Sequence, residues 1–564
     1  MKKSNIKNAF KMKRVIRLII CSFILNSCTN LDENILDESN LTNASAASYL
    51  TPIYAKLPNL VLHTNLLNLQ EIATDEAILP YRGGKDWGDN GIYINMHRHD
   101  FLPSDPNLYE TWNILNTGVS RAITALEKLP TLNDNNQALY IAEARAMRAY
   151  YSMVSLDLFN VVFVKDDPRA TSKVLKDTEA YNYVRDEFLA AIPNLSENTS
   201  DSGRLNKSSV YGLLARLYLN AAVYKNRYVA NYNFESDDLQ NAIKYCDMII
   251  NAGKFQLAPD YFSIFNSDNH TNPEIIFAVD QRAELNGTNR QAYWSLSGDQ
   301  YPLALFPGAN GTDGPAITPD FYQTWVSEYG ADPAGKDPRF FKQNMAIYTD
   351  PTATCVTAEN YRINRGILRG QQYGLIQEKG AFIKCNNGQF LVGPLFNVSR
   401  SLPNVPVIFT EKVDLTNEGS TYNAGYRVEK YEFSQKSNSG RNKGDADIVL
   451  LRLADIYLMR AEAKLRLNND TGAALADVNT VRTARTNPAP TLTSINLDRL
   501  FKERGFEFYW EMLRRTDMIR FGKYEGTWTE KTDTNINKRV FPIPQLAIDA
   551  ASNLPGFLGQ NQGY

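Results

Sequence analysis

Trp87 stands in a segment where side chains suited to ligand recognition crowd into one loop. The run Tyr81-Arg82-Gly83-Gly84-Lys85-Asp86-Trp87-Gly88-Asp89-Asn90-Gly91 holds four glycines in eleven residues, which favours a tight turn that a ligand can approach closely. An indole face takes up a flat apolar C–H surface, while Arg, Asp and Asn beside it bond a fringe of hydroxyls. That chemistry suits a sugar, and it makes Tyr81, Arg82, Asp86, Trp87 and Asn90 candidate glycan contacts. Tyr293 and Trp294 form a second candidate pair, against the competing reading that they pack a loop locally. Trp112, Trp325 and Trp510 fall in helical patterns and are expected in the core.

Catalytic chemistry finds little to work with. Only four histidines occur, His63, His97, His99 and His270. His97 and His99 would share the face of a strand and could ligate a metal, but no third ligand stands near them, so a satisfied or exposed pair is the expectation. There is no Gly-x-Ser-x-Gly elbow, no His-Glu-x-x-His and no phosphate-cradling glycine loop. Glycoside hydrolysis needs only two placed carboxylates, and 62 acidic residues leave that open. No catalytic residue, metal or cofactor is expected.

The elements that must position these residues are mostly helical. Ala138, Ala142, Arg145, Ala149, Met153 and Leu156 recur at spacings of three and four, as do Val210, Leu214, Leu217, Ala221 and Tyr224. Leu451, Ala454, Leu458, Ala461 and Leu465 repeat the pattern far downstream. A short Asn468-Asn469-Asp470 turn then leads to another helix. Paired, alanine-rich helices with short polar turns resemble tetratricopeptide units. Between the helical blocks the periodicity fades and Gly, Pro and Asn become frequent, while Glu274-Ile275-Ile276-Phe277-Ala278-Val279 reads as a strand. Long loops on a helical frame are where binding residues tend to sit.

The first 28 residues read differently. Lys2, Lys3, Lys7, Lys11, Lys13, Arg14 and Arg17 precede an apolar run from Leu18 to Leu25, then Asn26, Ser27 and Cys28. This is the layout of a secretory signal peptide, and the run is too short to span a bilayer, which needs about 20 residues. Leu-Asn-Ser-Cys resembles the lipobox of bacterial lipoproteins, departing from it at Asn26, so Cys28 is expected to carry lipid. All seven of those basic residues lie before Cys28, which leaves the rest distinctly acidic; nucleic acid is not an expected partner. Asp32 and Glu33 resemble a surface-export signal. After export, Cys355 and Cys385 in the loop-rich region are free to pair or not, whereas Cys246 reads as a buried thiol on a helix.

Five ordered blocks carry a wider resemblance. They are Glu143 to Tyr151 running on to Asp157-Leu158-Phe159; Arg204 to Asn220; Leu451 to Ala463 with Val478-Asn479 and Val481-Arg482; Glu503-Arg504, Glu507, Arg514-Arg515, Asp517 and Ile519 to Lys523; and Phe541-Pro542-Ile543-Pro544 with Gln560 to Tyr564. Thr516, where Trp is common, is one departure. Together they resemble the SusD/RagB family of nutrient-binding outer-membrane lipoproteins. The resemblance implies a predominantly α fold, with tetratricopeptide-like helical pairs in an α-α superhelix and a loop-rich, mixed second lobe. It divides the chain into a signal peptide (1–27), an N-terminal segment with the Trp87 loop (28–105), a first helical part (106–254), the mixed lobe (255–444) and a helical part that completes the superhelix (445–564). It implies a lipid-anchored, non-enzymatic protein at the cell surface that holds an oligosaccharide over a TonB-dependent SusC-like outer-membrane transporter. A lid for peptide import and a glycan-degrading lipoprotein enzyme are the alternatives. Arg504, Glu507, Glu511 and Arg515 are expected to fall on one helix and pair at helical spacing.

Overall fold

The computed structural model describes residues 45–564 except 83–86, 88, 166–168, 283–288, 297–299, 308, 310, 345–353, 399–403, 417–420 and 436–444. The side chains of Ala292 and Tyr293 are likewise outside the description. Cys28 and Asp86 therefore lie outside the described residues. Tyr49–Tyr564 form one compact unit.

The frame is helical. Helix α1 covers Ile92–Arg98 and α2 covers Pro106–Lys128, opened by Asp105, whose carboxylate accepts from the N–H groups of Asn107 and Leu108. Proline at the first position and an acidic N-cap both favour a helix start. Helix α3, Gln137–Phe159, packs along α2 and ends at Asn160 in the left-handed conformation. The two approach so closely at Gly118 that a Cβ there would come within 2.6 Å of the Tyr151 ring. Helices α4 (Asp177–Ala191), α5 (Lys207–Leu219) and α6 (Ser236–Ala252) continue the stack. In α5, Asn206 and Ser209 form a reciprocal capping box.

The next layer in space is far away in sequence. Helix α7, Pro319–Tyr329, belongs to the intervening lobe. Helix α8, Leu453–Asn468, packs on α6 and on α9, Thr471–Thr483. Ala454, Leu458, Ala461 and Leu465 meet Ala474, Val478 and Val481 in one apolar seam, the face that the spacing anticipated. The chain then runs through α10, Leu497–Phe508, and α11, Arg514–Arg520.

The middle of the chain is built from short antiparallel strands. Among the described residues each sheet has two or three strands. The strand Ile275–Val279 does not join its neighbours in sequence. It pairs with Ile448–Arg452, so the two ends of the lobe leave the helical frame as one ribbon. Farther out, Cys355 and Cys385 form a disulfide beside the paired strands Cys355–Val356 and Phe390–Pro394. Cys246 is buried on α6, and burial pushes its thiol pKa up. No helix among the described residues is long and apolar enough to cross a membrane.

The expected ion pairs are not on one helix. Helix α10 stops at Phe508, and Trp510 and Met512 take left-handed backbone angles, φ 60° and 61°, so Trp510 is buried but not helical. Glu507 instead meets Arg339 at 2.9 Å, Arg452 at 2.6 Å and Arg485 at 2.8 Å, while Glu511 meets Lys430 and Arg452, each at 2.7 Å. Glu274 closes the ring with Arg452 and Arg485, and Glu503 and Asp337 extend it through Arg339. Burial opposes ionisation of Glu507, yet Arg485, Arg452 and Arg339 hold its carboxyl well below the usual range. Arg504 joins Asp455 and Asp517, and Arg515 joins Asp157. Charges paired across elements, rather than along a helix, fasten the mixed lobe to the frame.

Candidate functional site

Arg82 and Asp89, the described residues on either side of Trp87, are tied to the rest of the chain. Arg82 is only 5% exposed, and its guanidinium donates to the carbonyls of Asp313 (2.7 Å), Gly314 (2.9 Å) and Ala424. Burial, then the nearby Arg427, draws its pKa well down. Arg82 therefore shapes the loop floor instead of offering donors to a ligand. Asp89 accepts from the N–H groups of Gly91 (3.1 Å) and Tyr93 (3.0 Å) and so opens α1. Asn90, exposed and left-handed at φ 61°, turns the chain there. The half-buried Tyr81 packs on the small cluster of Ile78, Ala316 and Leu415, and its N–H donates to the Asp414 carbonyl.

Trp87 itself is half-buried. Its indole N–H donates to the Thr312 carbonyl at 2.8 Å. Its ring stands edge-on to His63 (5.4 Å, 87°), Tyr93 (5.7 Å, 79°) and Trp294 (6.3 Å, 74°). Such edge-to-face contacts fix a ring plane. Trp87 thus has its polar handle satisfied, and what it still offers is ring surface.

Trp294 lies in the same cluster, so two candidates read separately in the sequence come together. It is 2% exposed and acts from below as a packing residue. Its carbonyl accepts from Thr312 Oγ1 at 2.7 Å and from Gly314 N–H at 2.8 Å. A Cβ at Gly314 would lie 2.6 Å from that carbonyl oxygen, so glycine is needed for the crossing. The backbone of Tyr293 is in a short helix, Gln291–Trp294. His63, Tyr93 and Thr312 complete the cluster and carry no signal in the sequence, because each looks like an ordinary helix or loop residue. Burial, then Arg290, lowers the His63 pKa to about 3, so the ring is neutral at physiological pH.

Metal and acid–base chemistry are poorly served. His97 lies in α1 and His99 is its left-handed cap, so they share no strand face. His97 meets the carbonyls of Ile72, Ala77 and Thr529, and His99 that of Ala73. Ligand atoms of His270, Asp280 and Asp447 lie within 4.8 Å of one another, the one such group among the described residues. Asp280 is engaged by Arg282, and Asp447 by His270 and by Gln281 N–H at 2.7 Å. Glu71 and Glu76 have raised pKa values, Glu76 to about 7, chiefly through burial. Raised carboxyl pKa values can mark an acid catalyst. Here both groups are fully buried and accept the N–H groups of Met512 and Trp510, which makes them structural.

The arrangement is a half-buried aromatic ring whose plane its neighbours hold fixed. Residues 262–538 match the model of the SusD family. The chain is 24% identical to the starch-binding protein SusD of Bacteroides thetaiotaomicron over 88% of this chain and 85% of that one. It is 21% identical to SusD-like protein P25 of Formosa agariphila over 98% of this chain and 100% of the other. Surface glycan-binding protein A from Bacteroides thetaiotaomicron, solved in complex with laminarihexaose, is similar in structure with a TM-score of 0.62 at 20% identity, covering 92% of this chain and 98% of that one. A SusD superfamily protein from Parabacteroides distasonis gives a TM-score of 0.65 at 18% identity, covering 92% and 100%. At these identities the structural likeness speaks to the fold.

Proposed function

This chain is a SusD-like family protein, and from that premise we propose that it binds oligosaccharide at the cell surface and passes it to a partner TonB-dependent outer-membrane transporter. The observation that carries the reading is the half-buried Trp87 ring, held by three neighbouring rings and a hydrogen bond. A preorganised aromatic plane binds a sugar face at little entropic cost. Tyr81, Asp86, Asn90 and Tyr293 stand with Trp87 as proposed contacts. Arg82 and Trp294 support the site from below. The relatives named for starch and laminarihexaose favour a glucan as the first ligand to try. Nothing in the arrangement calls for catalysis.

In this reading Cys28 carries lipid and ties the protein to the outer membrane. Acyl chains contribute about 0.8 kcal/mol per buried CH₂. Cys28→Ala should move the chain from the membrane fraction to the soluble one, and retention of that variant in washed membranes would refute the anchor.

Calorimetry with maltohexaose and laminarihexaose tests the site. Because Trp87 has packing partners, Trp87→Ala should cost both stability and affinity, and Trp87→Phe separates the two. Loss of a stacking anchor costs at least about 2 kcal/mol, roughly thirtyfold in affinity. The phenylalanine variant should fold and recover part of that loss. Unchanged affinity in folded Trp87→Ala protein would remove Trp87 from the site. Binding of oligopeptides in place of both sugars would give the site to peptide import.

A further inference from the structure

A second opening lies on the helical side of the molecule. Helix α2 forms one wall and the hairpin of strands Val162–Val164 and Lys173–Leu175 another. The short helix Gln545–Ala550 and the turns after it form the third. The cavity measures about 610 Å³, within the range of sites that hold small ligands, about 300–1,000 Å³. It shares no lining residue with the Trp87 cluster.

We propose that this groove is a separate carbohydrate-binding site for a short oligosaccharide. Its floor is aromatic. Buried Trp112 stands edge-on to Phe163 (5.7 Å, 85°), and the half-buried Phe163 stacks with Phe557 (6.2 Å, 25°). Four of its polar side chains are uncommitted. Among the described residues the side chains of Asn113, Lys165, Ser172 and Asn553 make no hydrogen bond or ion pair, although all four line the groove. Asn116 donates its amide to the Trp112 carbonyl at 2.8 Å, which leaves its own oxygen to accept. The partly buried Asn479, by contrast, bonds both the N–H and the C=O of Leu492.

Ring surfaces interleaved with idle amides, a hydroxyl and an ammonium match a ligand with C–H faces and a hydroxyl fringe. Among the described residues no carboxylate lines the space, which favours neutral or uronate-bearing sugars over cationic ligands. A docked protein segment would be better served by a continuous apolar stripe or a strand edge. Leu546 and Leu554 at the rim supply two exposed apolar side chains, which is too few for such a stripe. The lining of this groove carries the proposal, and it stands whether or not Trp87 is a contact.

The test uses the full chain in detergent, titrated calorimetrically with maltohexaose, laminarihexaose, cellohexaose, xylohexaose and hexagalacturonate. Phe163→Leu, which keeps an apolar side chain against Trp112, and Asn553→Asp, at an exposed position, are made in the wild-type chain and in the Trp87→Phe background. The expected result is a binding event weakened at least tenfold by either groove substitution, with an unchanged melting temperature and no response to Trp87→Phe. The proposal is overturned if no sugar of the panel binds, or if every binding event ignores both groove substitutions. It is also overturned if Leu554→Asp abolishes recovery of a large membrane protein with this chain while sugar binding persists, since the groove then belongs to a protein partner.

Discussion

Glu76 shows how one buried side chain can set a property of the whole protein. It sits against Glu71, with Arg514 and Asp75 nearby, and accepts the N–H of left-handed Trp510 at 2.7 Å. Burial raises its pKa from 4.5 to about 7, with Arg514 the main opposing influence. The folded state therefore binds more protons than the unfolded chain between those values, and stability must fall as pH rises through that window. The full effect is on the order of 3 kcal/mol. A Glu76→Gln variant keeps an oxygen for Trp510 and removes the titration. Its melting temperature should decline less than the wild type's between pH 4.5 and 7, and an identical slope would place the proton elsewhere.

At the scale of elements, the mixed lobe lacks the long apolar seam that holds α8 on α9. Its strands span two to five residues, and a disulfide between Cys355 and Cys385 closes a separation of 30 residues. A cross-link over such a loop stabilises by about 3 kcal/mol, in part by restricting the unfolded chain. Cys355→Ser with Cys385→Ser should lower the transition that reports the mixed lobe, while the far-ultraviolet helical signal keeps its own midpoint if the lobe melts separately. Equal melting with and without reductant would show that the bridge carries no stability. The helices need no such device, because capping residues such as Asn206 and Asp470 and an alanine-rich interface already define them.

Across the whole molecule, buried charges join segments that are far apart in sequence within the one compact unit. Arg452, 1% exposed, sits where the ribbon enters α8 and bonds Glu274, Glu507 and Glu511. These come from the lobe margin, α10 and the turn after α10. Removing one partner strands the others without compensation, at a cost of about 3–5 kcal/mol. Arg452→Met should therefore lower the melting temperature sharply, far more than an exposed pair such as Arg98–Glu530, where each side chain is over a third exposed. Comparable melting shifts for Arg452→Met and Arg98→Met would show that the buried network contributes no more than an exposed pair.

Features that local spacing can encode were legible before any fold was known. The seam of α8 with α9 follows from residues three and four apart, whereas α5 ends at Leu219 and leaves Ala221 and Tyr224 to the next short helix, and α3 buries Ala142–Phe159 nearly all round with Ala138 exposed, not one face. The family blocks and the layout around Cys28 are likewise contiguous strings. Which distant segments meet was settled by the folded chain instead. Trp87 and Trp294 are unrelated in sequence, yet both bond the Thr312–Gly314 stretch of backbone, which brings their rings edge-on. Glu507 and Glu511 read as partners of Arg504 and Arg515 along one helix until α10 stops and their partners arrive as Arg339, Lys430, Arg452 and Arg485. Arg82 reads as a free donor until three carbonyls claim it. One cause underlies all three cases: helical periodicity is a property of neighbours along the chain, whereas the burial and partners of a polar or aromatic side chain depend on the path of backbone far from it.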